Sequence, residues 1–372
     1  MAKRILIAAG GTGGHVFPAV AVAEKLRDAG YTPVFITDQR GKSMIPRDFP
    51  SMSILAASPY GDKFVTRLKG MTKLGFGTLE TIAMMLITRP RAIIGFGGYP
   101  AVAPVIVGHF MGKPSMLHEQ NAFFGRANHF LAKYTKRIAL SWGETRNIPS
   151  SSQAKTIVTG MPVRDAFEHI STFTPPSSKG DINLLIVGGS LGAAIFGETV
   201  PDAIGRLPIE LRQRLNITHQ VRQEQIAAVT MKYEKAGIRH TIAPFIKNMA
   251  EAMEDTHLVI GRAGASSVAE LAAAGRPAIL VPYPHAMDDH QTANAEAAVE
   301  VKGGWLVPEQ EMSAGSLAGR IATLISSPET LAETASNIRA LNKTNAAKSI
   351  AEQALSLTGD EIALTTLNGE MS

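Results

Sequence analysis

The 372-residue chain contains no cysteine, which excludes disulfides, thiolate catalysis and cysteine-ligated zinc and suits a reducing compartment. Aromatic residues are scarce, at 6% of the sequence with two Trp. The stacking side chains and sequence motifs expected of a nucleic-acid binder are missing. No stretch approaches the roughly 20 consecutive apolar residues that a bilayer-spanning helix needs. The opening "MAKRILIAAGGTGGH" does not read as a secretion signal, because its apolar run is only about five residues long before glycines interrupt it. Two phosphate-binding signatures are also absent. A G-x-G-x-x-G fingerprint begun at Gly11 would need its third glycine at Val16, and it fails again from Gly188 or Gly189. Neither glycine cluster is followed by the Lys-Ser/Thr of a P-loop, so NAD and ATP in their usual motifs are excluded.

What is present is divided between two halves. Residues 1–160 carry 20 Lys and Arg against 8 Asp and Glu, whereas residues 161–372 carry 17 against 24. A basic half beside an acidic one predicts that the first meets something anionic. The length suits two domains, each with its own core.

Short apolar runs alternate with helix-like segments. "RILIAA" (4–9), "PVFIT" (33–37), "RAIIGF" (91–96), "PSMLH" (114–118) and "RIALS" (137–141) read as strands, as do "INLLIVGG" (182–189), "NITHQV" (216–221), "HLVIG" (257–261) and "PAILVPY" (277–283). They are near-continuous Val/Ile/Leu runs, as expected of α/β parallel sheets covered by helices on both faces. The pattern occurs twice, each time with a strand running into a glycine-rich turn, at Gly10–Gly14 and at "GGSLGA" (188–193). Each turn reads as the first βα turn of a Rossmann-like unit. There, free helix-terminal N–H groups favour an anion, and absent Cβ atoms allow it to approach closely. The expected division is residues 1–163, residues 164–345, and a C-terminal helix near 346–357 that packs back on the first domain, followed by a tail.

The stretch "GRAGASSVAELAAAGRPAILVPYP" (261–284) is a strand, a small-residue turn and a helix. Its helix N-terminus suits a diphosphate. Glu270 is placed to accept hydrogen bonds from ribose hydroxyls. "HAMDDHQTANA" (285–295) then sets Asp288, Asp289, His290 and Gln291 on a turn entering a helix. Their spacing matches no strong metal-ligand motif and suits hydrogen bonding to sugar hydroxyls.

The motifs "GGTGGHV", "HEQN" (118–121), "GMPVR" (160–164), "GGSLGA", "GRAGASSVAE" and "DDHQTANA" occur in this order. Together, over about residues 4–345, they closely resemble the bacterial MurG family. That resemblance implies a GT-B fold, two Rossmann-like domains facing across a cleft. It also implies transfer of N-acetylglucosamine (GlcNAc) from UDP-GlcNAc to undecaprenyl-diphosphate-linked muramoyl-pentapeptide, lipid I to lipid II, in peptidoglycan synthesis at the cytoplasmic face of the inner membrane. By the same resemblance, Ser190 and the turn at Ala265, Ser266, Ser267, Val268 and Ala269 meet the diphosphate. Phe245 and Ile246 frame the uracil, Glu270 takes the ribose, and Gln291 with His290 takes the GlcNAc. Arg164 helps to bind the donor, while Thr12, Gly13, Gly14 and Asn121 lie near the transferred sugar and the acceptor. This chain departs from the family in having His at position 290, where some members have Gln, and in "GRAG" and "GMPVR" for the frequent "SRAG" and "GNPVR".

An α-linked donor and a β-linked product imply a single inverting displacement. A histidine is a suitable base for the attacking hydroxyl near neutral pH. His15 is the candidate and Glu119 the alternative. Helix-terminal N–H groups and Arg164 stabilise the departing UDP without a metal, so no cofactor is expected. A lipid acceptor requires contact with a bilayer. Residues 63–77 carry four basic groups interleaved with Phe64, Leu68, Leu74 and Phe76, which suits an anionic membrane surface, whereas Ile82–Ile87 is expected to be buried. Contact with other cell-wall synthesis proteins also fits such a role. The rival readings are another GT-B enzyme, either a glycolipid glycosyltransferase or a UDP-GlcNAc 2-epimerase.

Overall fold

The structure, a computed structural model, describes residues 3–55, 64–189 and 192–368. Within its helices, the side chains at 64–71, 73, 74, 362, 365, 366 and 368 stand outside that description. The chain folds as two compact units, Met1–Arg164 with Lys343–Ser372, and Asp165–Asn342.

The first unit is built on seven parallel strands. These are β1 (Arg4–Ala8), β2 (Thr32–Thr37), β3 (Ser51–Ser53), β4 (Ala92–Gly95), β5 (Ser115–Glu119), β6 (Arg137–Leu140) and β7 (Thr156–Val158), in the order β3-β2-β1-β4-β5-β6-β7. Strand β1 shows why its sequence is apolar throughout. Ile5 and Ile7 pack with Val16, Ala19, Ala23 and Leu26 of helix Gly13–Asp28 and with Ile350, Ala351 and Ala354 of helix Ala346–Ser356. On the opposite face, Leu6 and Ala8 pack with Met84, Met85, Val102 and Val105. A strand buried on both sides has no polar face to show. The C-terminal segment is also tied to the start of the chain by charge. Asp360 accepts from Tyr31 Oη at 2.9 Å and pairs with Lys3 Nζ at 2.6 Å, and the Lys3 ammonium holds its carboxyl below the usual range.

The second unit has six parallel strands, β8 (Ile182–Val187), β9 (Leu215–Gln220), β10 (Arg239–Ala243), β11 (Leu258–Gly261), β12 (Ala278–Leu280) and β13 (Gly304–Leu306), in the order β10-β9-β8-β11-β12-β13. Beneath it, Arg276 is fully buried. It is satisfied by four backbone carbonyls, those of Met253, Ala274, Ser171 and Glu254, at 2.6–3.1 Å. Strand order reverses between β1 and β4 in one sheet and between β8 and β11 in the other. At such a reversal the flanking connections run in opposite directions and leave a crevice at the strands' carboxyl ends. The two glycine-rich turns, after β1 and after β8, sit at these reversals.

One expectation is corrected here. Residues Phe64–Thr88 form a single 25-residue helix that continues through Gly70, Gly75 and Gly77. Ile82–Ile87 is not buried. Met84 and Met85 face the core, but Ile82, Leu86 and Ile87 are exposed, Ile87 by 76%. The helix packs on one side only, so its outer face keeps an apolar surface that hydropathy alone assigns to the interior. Among the described residues, no helix is long and apolar enough to cross a membrane.

Two buried histidines make stability pH-dependent. Burial lowers the pKa of His118 in the first unit to about 4 and that of His219 in the second to about 3. Each withholds a proton that the unfolded chain takes up below pH 6.5, so stability is unaffected above that pH and falls below it. At pH 5 the loss is about 2 kcal/mol per histidine. Urea unfolding at pH 7 and pH 5 should show the drop, and His219→Phe should flatten the pH dependence of its unit. An unchanged slope in that variant contradicts the assignment.

Candidate functional site

In the first unit the reversal between β1 and β4 brings two connections together. Gly10 N–H donates to the Gly97 carbonyl at 3.1 Å. Gly97 and Gly98 have φ of 82° and 72°, values that side chains other than glycine rarely adopt. A Cβ on Gly98 would lie 2.9 Å from Gly10 Cα, and one on Gly97 would lie 3.3 Å from His15 Nε2. The glycines are therefore the condition for packing an imidazole between two backbone turns. Helix Gly13–Asp28 begins here with Thr12 in the N-cap position, in extended conformation. Its hydroxyl makes no capping bond and instead meets His15 Nδ1 at 2.8 Å. Thr12, Gly13, Gly14 and His15 thus form one turn, with the hydroxyl fixing the ring. On the same helix the Arg164 guanidinium stands 5.7 Å from the centre of the Phe17 ring, so Arg164 lies by the turn although 149 residues separate it from His15.

Glu119, the alternative base, closes a loop of the first unit. It is 2% exposed at the end of β5. Its Oε1 accepts from Asn121 N–H at 3.0 Å and Asn121 Nδ2 at 3.2 Å, and its Oε2 from Gly125 N–H at 3.0 Å and Asn128 Nδ2 at 2.8 Å. Burial pushes its carboxyl pKa up, and these four donors pull against that. A carboxylate so enclosed and so occupied anchors the loop 120–126. Asn121 is held to it by both its amides.

In the second unit the reversal lies between β8 and β11. Ser190 falls outside the described residues. The flanking turn is held by Gln220, whose Oε1 accepts from Gly188 N–H at 3.2 Å and whose Nε2 donates to the Gly189 carbonyl at 3.0 Å. After β11, helix Ala265–Ala274 starts from Gly264 without a side-chain cap. Ser266 Oγ is buried there with no partner among the described residues. Ser267 and Glu270 are half-buried along the same turns. The Val268 and Ala269 side chains are buried, at 0% and 5% exposure, and Val268 N–H donates to the Gly264 carbonyl, so these side chains pack the helix onto the sheet. Asn294 Nδ2 donates to the Ala263 carbonyl at 3.1 Å and braces the turn from behind.

The segment after β12 is shaped by Arg262, whose Nη1 donates to the Val281 and Pro282 carbonyls and whose other arm pairs with Glu309. Tyr283 N–H donates to Gln291 Oε1 at 3.0 Å, which leaves the Gln291 Nε2 end to be aimed elsewhere. His290 Nδ1 donates to the Met287 carbonyl at 2.7 Å. This fixes the tautomer and leaves Nε2 as the acceptor. Asp288 and Asp289 both have left-handed φ, 55° and 50°, and the turn is pinned by Thr292 Oγ1 donating to Asp289 Oδ1 at 2.7 Å. Phe245 is 63% exposed beside half-buried Ile246. Among the described residues, no three His, Asp or Glu side chains converge as metal ligands.

Sequence reasoning missed Gln120, Gln220, Asn128, Asn294 and Arg262. Each acts mainly by bonding to backbone or to another buried group, and none of that is legible in spacing. The available hint was their place next to a glycine turn or a strand end.

Comparison with known proteins bears on both units. The glycosyltransferase family 28 N-terminal domain matches residues 5–140, and the family 28 C-terminal domain matches residues 183–354. A Granulibacter bethesdensis protein named UDP-N-acetylglucosamine–N-acetylmuramyl-(pentapeptide) pyrophosphoryl-undecaprenol N-acetylglucosamine transferase is 43% identical over 357 residues, covering 94% of this chain and 92% of that protein. A Rhodospirillum centenum protein of the same name is 41% identical over 359 residues, covering 95% and 94%. The crystal structure of Acinetobacter baumannii MurG superposes with a TM-score of 0.79 at 30% identity, covering 95% of this chain and 99% of that one.

Replacing Glu119 by Gln sets an NH2 group against donors that now meet lone pairs. We expect Glu119→Gln to lower stability by about 2 kcal/mol, within the cost of leaving a buried polar group unsatisfied. Thermal unfolding of the two proteins measures this, and equal midpoints contradict the anchoring role.

Proposed function

The chain belongs to the MurG family within glycosyltransferase family 28, and on that premise we propose that it transfers GlcNAc from UDP-GlcNAc to the C4 hydroxyl of lipid I. This makes lipid II by a single inverting displacement on a GT-B scaffold. The observation that carries the reading is the imidazole of His15, seated between glycine turns at the sheet's reversal with its Nδ1 held by the Thr12 hydroxyl.

The second unit takes the donor. The N-terminal turn of helix Ala265–Ala274 opposes the diphosphate charge with its free amides, and the unpartnered Ser266 Oγ offers it a hydroxyl. Glu270 accepts from the ribose, Ile246 and Phe245 flank the uracil, and His290 and Gln291 meet the GlcNAc hydroxyls. The first unit takes the acceptor through the amides of Thr12–Gly14 and through Asn121. The acceptor oxygen attacks the anomeric carbon while its proton passes to His15 Nε2, and Nδ1–H donates to Thr12. The bond from that carbon to the β-phosphate oxygen breaks and UDP leaves with the electron pair, its charge opposed by the helix amides and Arg164.

A lipid acceptor requires contact with a bilayer, and the reading includes peripheral attachment at the cytoplasmic face of the inner membrane. Much of segment 63–77 has side chains outside the described residues. The same helix nonetheless exposes Phe76, Leu79, Leu86 and Ile87 by 58–76%, at spacings that put them on one face, and Arg89 follows at its end. Apolar side chains beside the basic groups that the sequence sets at 63–77 suit an anionic bilayer.

Two outcomes test this. With a soluble lipid I analogue, His15→Ala should lower kcat by roughly 100-fold or more, the usual scale for a lost general base, with little change in KM for UDP-GlcNAc; a kcat within threefold of wild type removes the base. Phe76→Ser/Leu79→Ser/Leu86→Ser protein should lose most of its sedimentation with phosphatidylglycerol vesicles, and undiminished binding excludes this face.

A further inference from the structure

Two buried polar side chains beside His15 have no part in the chemistry above. His118 on β5 is wholly buried and Gln120 is 3% exposed. Their hydrogen bonds determine where every proton sits. Ser141 Oγ donates to the Glu119 carbonyl at 2.8 Å, so toward His118 Nε2, at 3.2 Å, it accepts. The Gly160 carbonyl, 3.3 Å from the same nitrogen, also accepts. His118 therefore carries its hydrogen on Nε2, and its bare Nδ1 accepts from Gln120 Nε2 at 3.2 Å. The second amide hydrogen of Gln120 goes to the Phe96 carbonyl at 2.8 Å. Turning this amide over would set Oε1 against a carbonyl and a lone pair, so its orientation is fixed.

Oε1 is left facing the other way. A methyl-sized point above Gly97 Cα lies 3.5 Å from Gln120 Oε1, 3.3 Å from His15 Nε2 and 3.2 Å from His15 Cδ2. The Nε2 edge of the ring and the amide oxygen border the same small gap, which glycine keeps open.

We propose that Gln120, locked by His118, is a positioning residue for His15: its Oε1 sets the negative end of a neutral dipole beside the Nε2–Cδ2 edge of the imidazole, leaves the Nε2 lone pair to the acceptor sugar, and favours the imidazolium that forms as that sugar loses its proton. The inference rests on the reading of His15 as base. An amide, unlike a carboxylate, steadies the charged ring without binding a proton itself, so the base stays able to release what it takes up. His118 is suited to its part because its burial keeps it uncharged at neutral pH. Among the described residues, the charged and titratable groups that neighbouring elements set around the His15 turn include this ring from β5, the Asp38 carboxylate beyond β2 against Gly11, and the Arg164 guanidinium over Phe17.

The test compares wild type, Gln120→Met, His118→Phe and His15→Ala in two readouts, the pH profile of kcat and the titration of the His15 ring followed by NMR of histidine-labelled protein. Gln120→Met should lower the His15 midpoint and the acid limb of kcat together by about half a pH unit or more. It should also lower kcat roughly tenfold, while KM for both substrates stays within about twofold. His118→Phe should shift both in the same direction. A folded Gln120→Met protein with an unmoved midpoint, or with a change in KM alone, overturns the proposal. Should Gln120→Met fail to fold, Gln120→Asn, which draws the oxygen back by one carbon, gives the same readout. If His15→Ala keeps its rate, the base reading falls; if it loses its rate while Gln120→Met titrates as wild type, only the present inference falls.

Discussion

The candidate site depends on how closely two backbone turns approach at the reversal point of the first unit's parallel sheet. In the first unit, Gly10 and Gly98 leave no room for a Cβ between them, and the space so made is occupied by one imidazole. Where the order of parallel strands reverses, the connections after β1 and β4 leave in opposite directions and open a crevice at the strands' carboxyl ends. What stands there is decided by residues that take up no space. In the second unit the reversal carries a glycine turn after β8 and the uncapped start of helix Ala265–Ala274 after β11.

Turns built from glycine have little stiffness of their own, and in both units buried amides supply it. Gln220 bonds to both ends of the Gly188–Gly189 peptide region, and Asn294 holds Ala263. In the first unit Glu119, Asn121 and Asn128 close one loop, and Gln120 ties the β4 turn to His118. These groups are satisfied mainly inside the protein, so they stabilise one geometry. The polar atoms aimed at ligand are then few and fixed.

The interior of the fold was plain in the sequence, because strands buried on both faces read as unbroken apolar runs. All nine runs identified that way are strands. The four strands that were not foreseen, Ser51–Ser53, Thr156–Val158, Arg239–Ala243 and Gly304–Leu306, are the four sheet edges. An edge strand has one hydrogen-bonded neighbour and an exposed flank, so its sequence can be short and polar and carries no hydrophobic signature. Motif order also found the glycine turns and the residues along them. It does not show which side chains pack, as those of Val268 and Ala269 do, nor that the Glu119 carboxylate is held by four donors of its own loop. Burial and hydrogen-bond occupancy decide such cases, and both depend on residues distant in sequence. The helix Phe64–Thr88 misled for the opposite reason, since apolar composition there marks a surface.

The most direct measurement is product analysis after incubating the protein with radiolabelled UDP-GlcNAc and a short-chain lipid I analogue. The account predicts that label moves onto the lipid as a β-1,4-linked disaccharide with one UDP released per transfer. Label recovered as free GlcNAc or as its C2 epimer, with the lipid unlabelled, would contradict it.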